Sequence, residues 1–274
     1  MPELPEVETV RRSLEKLVLG KTISYVTINW ANIIKQPDDT AEFEVLLKGQ
    51  TIQEINRRGK FLLFELDDVV MISHLRMEGR YGLYNADDEW PPHTHVIFHF
   101  TDGTELRYQD VRKFGTMHIF PRGQENEVLP LAKLGVEPFS EQFTTLHLKQ
   151  AFSKTNRKIK VVLLDQKTVV GLGNIYVDEA LFRARLHPER LAQSLTDEEL
   201  GKLHHEIVAT LSEAVKLGGS SIKSYVNGQG EMGMFQQQLV VYGRTNEPCQ
   251  ACGTEIVKTV VGGRGTHFCP VCQN

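Results

Sequence analysis

The sequence predicts an α+β chain in three successive parts: a β-rich half behind one amphipathic helix, a helical half, and a short terminal ribbon. Three observations carry this. Turn-punctuated runs of β-branched and aromatic residues fill positions 22–120. Beyond position 140 the apolar residues recur at helical spacing. All four cysteines stand near the end of the chain as two pairs, Cys249-x2-Cys252 and Cys269-x2-Cys272.

The chain opens Met1-Pro2-Glu3-Leu4-Pro5-Glu6-Val7-Glu8. Proline in a first turn and acids at the positive end of a helix are ordinary start signals. Val7, Val10, Leu14, Leu17 and Val18 then fall on one face, so a helix is expected from Pro5 to a stop at Gly20. The same octet has a chemical reading. Removal of Met1 would leave Pro2 with a free secondary amine beside Glu3. An α-amine titrates at about 7.7–8.0, so part of it is neutral at physiological pH: a nucleophile with a proton-shuttling carboxylate attached.

Strands are expected at 22–29, 51–57, 60–66, 69–75, 93–100, 104–108 and 115–120, with turns at Arg58-Gly59, Asp67-Asp68 and Thr101-Asp102-Gly103. Short strands joined this way make a sandwich or a barrel. A short helix at 40–48 interrupts them. His93 and His95 alternate on one strand face, a metal-like pattern with no third ligand in view. Residues 124–140 are polar with Pro130 and Pro138 and read as a linker. Helices follow at 141–154, 157–167, 174–185 and 196–217, the last opening at Thr196 with Glu198 and Glu199 in its first turn and closing on Gly218-Gly219. Glycine-rich 218–235 reads as a mobile loop.

Composition, 41% hydrophobic and 24% charged, is that of a soluble globular chain. No apolar run approaches the roughly 18 residues of a membrane span, and no basic-then-apolar leader opens the sequence. A cytoplasmic protein with no membrane partner is therefore expected. The net charge of −4 weighs mildly against a nucleic-acid partner, but binding depends on one face. Bases cluster at Arg57-Arg58-Gly59-Lys60, at Arg112-Lys113 and at Lys154, Arg157, Lys158 and Lys160, away from the acid clusters. That segregation permits a basic groove on an acidic body; scattered solvated faces are the plain alternative.

Two Cys-x2-Cys pairs fit one tetrahedral Zn²⁺ on Cys249, Cys252, Cys269 and Cys272. Disulfides are disfavoured in a cytoplasmic chain. Four thiolates leave no open position, so the ion is structural, and so short a ribbon has too little core to fold without it. The turn Gly171-Leu172-Gly173 leads into a helix that Asn174 is placed to cap, and its amides suit a phosphate. With the bases ending at Lys160 on the preceding helix, it suggests a grip on a nucleic-acid backbone; an ordinary interhelical turn is the alternative. Arg264, among glycines between the cysteine pairs, is expected on a hairpin tip open to phosphate, with a simple hairpin turn as the equal alternative.

Residues 1–9, Ile72-Ser73-His74-Leu75-Arg76-Met77-Glu78-Gly79, Asp110-Val111-Arg112-Lys113-Phe114-Gly115-Thr116, 171–179 and the cysteine ribbon together resemble the formamidopyrimidine-DNA glycosylase family, bacterial enzymes that remove 8-oxoguanine. The resemblance implies an N-terminal β-sandwich with its first helix (1–124), a linker (125–140), a helix–two-turns–helix domain (141–245) and a zinc ribbon (246–274). It implies a monomer acting on damaged double-stranded DNA. Pro2 would attack the sugar C1′ and form an imine, with Glu3 as proton donor and acceptor, followed by β,δ-elimination at the abasic site. Lys60 would lie near base and phosphate, Arg264 at a phosphate, and His74, His93, Lys160 and Asn174 along the backbone.

A base in duplex must be flipped out to be reached. Met77, Arg112 and Phe114 match the residues that fill the hole: two apolar wedges, and donors suited to the O2 and N3 acceptors of the widowed cytosine; without the resemblance, core packing is the plain alternative for Met77 and Phe114. 8-Oxoguanine carries a hydrogen at N7 where guanine has an acceptor. A backbone carbonyl of the glycine-rich loop would read it, with Ser224 as a base contact. Val161 stands where many relatives have proline. An endonuclease VIII-like glycosylase for oxidised pyrimidines is the near alternative, against which Leu4 and Arg112-Lys113-Phe114 speak. A noncatalytic zinc DNA-binding protein is the distant one, against which Pro2, Glu3 and Lys60 speak.

Overall fold

A computed structural model describes residues 1–220 and 233–274. Ser224 and most of the glycine-rich loop fall outside the described residues. The chain divides into two compact units, Met1–Pro2 with Glu6–Ala132 in one, and Glu3–Pro5, Lys133–Gly219 and Met234–Asn274 in the other.

The first unit takes α1 (Leu4–Val18) from Glu6 onward, followed by β1 (Ile23–Ile28), β2 (Ile34–Gln36), α2 (Thr40–Leu47), β3 (Glu54–Arg58), β4 (Phe61–Glu65), β5 (Val69–His74), β6 (Arg80–Asn85), β7 (Thr94–Phe100), β8 (Thr104–Gln109) and β9 (Thr116–Pro121). They form two sheets, β1-β7-β8-β6 and β2-β9-β5-β4-β3, antiparallel except for the β2–β9 pair. Sandwich, not barrel, is the outcome. Val7, Val10, Leu14 and Val18 of α1 join the apolar residues of both sheets in one core. The stripe read from the sequence is the buried one, and Gly20, at φ +77, ends the turn after the helix. Glu8 ties α1 to β3 by accepting from Arg57 Nε at 3.0 Å, and also from Arg11 and Arg12. Burial alone would raise its pKa, but Arg11, Arg57 and Arg12 hold it below the ordinary carboxylate value.

Two strands lie where none was expected, β2 and β6. Both are sheet edges. An edge strand buries one side at most, so its residues need not be β-branched or alternate cleanly. β6, Arg-Tyr-Gly-Leu-Tyr-Asn, buries only Tyr81.

The second unit holds α3 (Thr145–Phe152), α4 (Ile159–Leu164), α5 (Asn174–Arg183) and α6 (Asp197–Lys216), then the hairpin β10 (Val257–Val261) and β11 (Arg264–Phe268). α3 and α4 are shorter than the sequence spacing implied. Thr144 starts α3 by accepting from His147 N at 3.1 Å, and Lys158 is extended at the N-cap of α4. α6 opens on a full capping box: Glu199 N donates to the Thr196 hydroxyl at 3.2 Å, and Thr196 N to Glu199 Oε2 at 2.8 Å. It closes on Gly218 and Gly219, both at positive φ. The polar stretch ending at 140 is tied down in its second half, where Gly135 N donates to Gln166 O at 2.8 Å and Val136 bridges Val169. Val257 to Val261 pair with Phe268 to Arg264 across Gly262 and Gly263, at φ +57 and +74. Two central residues with positive φ make the type I′ turn that matches strand twist.

Candidate active site and nucleic-acid interface

Glu3 is a buried acid of the opening octet. Its carboxylate accepts from Gly173 N at 2.6 Å, Ile175 N at 2.8 Å and Tyr176 N at 3.3 Å. These are the orphan donors at the start of α5, where the helix dipole also favours an anion. Leu4 N donates to Gly171 O at 3.0 Å, so the Gly171-Leu172-Gly173 turn clasps both residues. Gly173 has no Cβ for a reason: one there would lie 2.6 Å from Glu3 Oε1. The sequence expectation is corrected in two respects. The amides assigned to a DNA phosphate already hold Glu3, and Gly173, not Asn174, is the N-cap, with no side-chain cap bond.

Asn174 and Lys160 turn inward as well. Asn174 Nδ2 donates to Gly265 O at 2.8 Å. Lys160 is 0% exposed, and its ammonium donates to Asp178 Oδ1 at 2.7 Å and to Gly265 O at 3.1 Å. Burial lowers its pKa, against the pull of Asp178. Asp178 Oδ2 also accepts from His267 N at 2.9 Å. Both side chains hold the ribbon beside Arg264; Lys160 does so from full burial, Asn174 from a half-buried position. Arg264 itself is exposed at the first position of β11. Glu179, one residue on from Asp178, accepts from the amides of Val240, Val241 and Tyr242 at 2.8–3.0 Å, fixing the approach to the ribbon.

In the first unit Pro2 is buried, and Lys60, also buried, follows Gly59 in the β3–β4 turn. His74 ends β5 with its ring edge-on to Phe61 at 4.5 Å. Burial, then Arg76 and Lys60, push its pKa down to about 3. A neutral ring that accepts Arg76 N–H at Nδ1 (2.9 Å) carries its proton on Nε2, available as a donor.

Met77 and Phe114 are 38% and 51% exposed, unusual for such side chains, and the Arg112 guanidinium lies 4.7 Å from the Phe114 ring centre. Neither apolar residue is in the core, the plain alternative for both. Lys113, in the left-handed region, sets its ammonium 3.9 Å from the Trp30 ring centre.

Asp110 organises this loop, accepting from Arg112 N at 3.1 Å and Gly115 N at 2.8 Å. Sequence reasoning gave Asp110 no role. An aspartate able to close an Asx turn just before a glycine-ended loop was the available signal. The histidine pair is also corrected. His93 lies outside β7, exposed at φ +65, whereas His95 is buried with Nε2 2.9 Å from Asp110 O.

The four cysteine sulfurs lie within 4.8 Å of one another, with Cys249–Cys272 at 3.9 Å and Cys252–Cys269 at 3.5 Å. A tetrahedron with zinc–sulfur bonds of about 2.3 Å has edges of roughly 3.8 Å, so the set fits one zinc ion. All four are free cysteines. Ala251 N and Cys272 N point at Cys249 Sγ and Cys269 Sγ, both at 3.4 Å, as knuckles around a thiolate-bound ion do.

A sandwich, a helical unit whose α5 clasps an N-terminal acid, and a four-cysteine ribbon presenting an arginine define a class: three-part proteins with a zinc ribbon. Family models agree along the chain. The formamidopyrimidine-DNA glycosylase N-terminal domain matches residues 1–117, its H2TH domain 134–226, and the zinc finger found in FPG and IleRS 246–274. The chain belongs to the formamidopyrimidine-DNA glycosylase family. It is 77% identical to the formamidopyrimidine-DNA glycosylase of Cytobacillus firmus, with all of both chains covered, and 63% identical to that of Bacillus subtilis (strain 168), over 100% of this chain and 99% of the other. Wild-type Lactococcus lactis Fpg (MutM) complexed with DNA containing N7-benzyl-Fapy-dG superposes at a TM-score of 0.92 and 45% identity, over the whole of both chains. A complex of that enzyme with DNA containing an abasic site gives 0.91 over 99% of each.

Proposed function

We propose that this chain excises oxidised purines, 8-oxoguanine opposite cytosine and formamidopyrimidines, from duplex DNA and then cuts the strand at the abasic site. The observation that carries the reading is the carboxylate of Glu3, the residue next to Pro2, locked by the N-cap amide of Gly173 and two first-turn amides of α5. A shuttle fixed this firmly next to an amine has a defined reach.

With Met1 removed, the Pro2 nitrogen attacks C1′. A carbon–nitrogen bond forms as the C1′–N9 bond breaks, and the base leaves with the bonding pair and takes up a proton. Sugar-ring opening, with Glu3 supplying a proton to the ring oxygen, leaves an iminium that makes the C2′ protons acidic. Loss of one expels the 3′ phosphate, a second elimination expels the 5′ phosphate, and water releases Pro2. Lys60 lies by the base and phosphate, Arg264 at a phosphate, and His74 and His93 on the backbone. Met77, Arg112 and Phe114 fill the hole left by the flipped nucleotide, and Ser224 contacts the base. Lys160 and Asn174 lie along the backbone with His74 and His93, Lys160 acting through the Arg264 hairpin that both side chains hold. The enzyme acts as a cytoplasmic monomer, with 1–124, 141–245 and 246–274 as its domains.

Borohydride should trap a covalent adduct between the Met1-processed protein and an 8-oxoguanine:cytosine duplex, and retention of Met1 should abolish trapping while sparing DNA binding. No adduct from processed protein would refute the amine mechanism; trapping that survives retained Met1 would move the nucleophile to a lysine. Oxidised pyrimidines are a second substrate class, supported by the Lactococcus lactis relative solved with DNA containing an oxidised pyrimidine. A thymine-glycol duplex cut faster than the 8-oxoguanine duplex would make them the principal one.

A further inference from the structure

Tyr108 is the penultimate residue of β8 and fully buried. It pairs with Tyr81 of β6 and Val96 of β7, and its ring packs on Tyr81 at 5.1 Å. Its phenol tip reaches past the sheet to two glycines. A Cβ on Gly79 would overlap the phenol oxygen and lie 2.9 Å from Cζ; one on Gly115 would overlap the same oxygen and lie 2.7 Å from Cζ. These glycines end the two turns in question. Gly79 N donates to Leu75 O at 2.9 Å, closing the turn that carries Met77. Gly115 N donates to Asp110 Oδ2, closing the turn that carries Arg112 and Phe114. The Tyr108 hydroxyl donates to that same Oδ2 at 3.4 Å. Burial, then the neighbouring Asp110 carboxylate, keep the phenol protonated and so a donor.

We propose that Tyr108 is a positioning residue that sets the Met77 turn and the Arg112–Phe114 turn in one register, so that the three side chains enter the duplex as a unit. The proposal rests on reading those three as hole-filling residues. One rigid side chain touches both turns, each turn has given up its Cβ to admit it, and its hydroxyl bonds the carboxylate that closes the second. At Gly79 a Cβ would also come 2.6 Å from Leu75 O, so it is at Gly115 that the phenol is the dominant obstacle. Tyr108 touches no substrate atom in this role; it acts through the turns.

Tyr108→Phe keeps the ring and removes the oxygen. Excision from an 8-oxoguanine:cytosine duplex should fall about twofold, the value of one long and therefore weak hydrogen bond, whereas borohydride trapping on a single-stranded abasic oligonucleotide, which has no partner base and no hole to fill, should stay at the parent rate. Gly115→Ala should lower duplex excision further, and Tyr108→Phe added to it should recover part of the loss by removing the overlapping oxygen. The proposal is overturned if Tyr108→Phe slows both substrates alike or neither, or if the double variant falls by the product of the single losses. A parent protein that traps on neither substrate would instead overturn the proposed function, and this inference with it.

Discussion

At the scale of single residues, several side chains are placed by partners far away in sequence. Glu3 looks like any acid in a first turn until the amides of Gly173, Ile175 and Tyr176 are seen around it. Local signals fixed Gly20 and Thr196 as helix bounds because a cap is a neighbour effect; a cap supplied from across the sequence leaves no local trace. The exposure of Met77 and Phe114 was equally illegible, since an apolar residue in a turn reads as core by default.

His74 yields a prediction at this scale. Its folded pKa is depressed to about 3 from 6.5, so between those values the unfolded chain binds a proton that the folded chain refuses. Stability from this site is whole above pH 6.5 and is lost as pH falls through the window, by at most about 1.4 kcal/mol per pH unit. His99, His118 and His187 are also lowered, burial being the first cause in each, so the test is a difference. Chemical denaturation of parent and His74→Gln from pH 7 to 4 should show a shallower acid limb in the variant. Superimposed limbs would mean that His74 titrates normally.

At the scale of elements, α1, most of the strands and α6 were legible because their apolar periodicity is the periodicity of their burial. The edges β2 and β6 were not, for want of a second buried face, and α3 and α4 were over-extended because helical residues continue past their caps. The Lys154–Lys160 cluster shows the limit of reading charge from composition. Lys154 is exposed, whereas Lys160 is sealed against Asp178 and Gly265. The two should therefore behave oppositely. Lys160→Met leaves the Asp178 carboxylate buried without its cation and should cost about 3–5 kcal/mol in denaturant unfolding. Lys154→Ala should leave stability within about 0.5 kcal/mol. If it meets a phosphate, it should also reduce the salt slope of DNA binding by about one. Equal and small stability effects from both would show that the Lys160 pair holds nothing.

At the scale of the molecule, a net charge of −4 coexists with a nucleic-acid-binding family because much of the acid is consumed internally. Glu3 and Glu179 hold amides, Glu8 and Asp178 hold cations, and Glu105 pairs with fully buried Arg107 and with His99. Arg76, Arg112 and Arg264 remain exposed. The ribbon was the most legible part of the chain, since two-residue spacing fixes a metal knuckle whatever surrounds it. Its own apolar core is little more than Ile256 among the cysteines, with Val241 of the preceding segment packed on them, far too small to hold a hairpin alone. Metal binding is therefore its folding energy, on the order of 10–16 kcal/mol for a structural zinc site.

Chelation should release the hairpin and with it the fixed place of Arg264, weakening DNA binding by roughly tenfold or more, about 1.4 kcal/mol or above. Trp30 and Trp90 both belong to the first unit, so their emission reports that unit separately and should persist through chelation. Returning zinc should restore affinity. Affinity untouched by a chelator that has demonstrably stripped the metal would remove the ribbon from the interface, and Arg264 from the reaction.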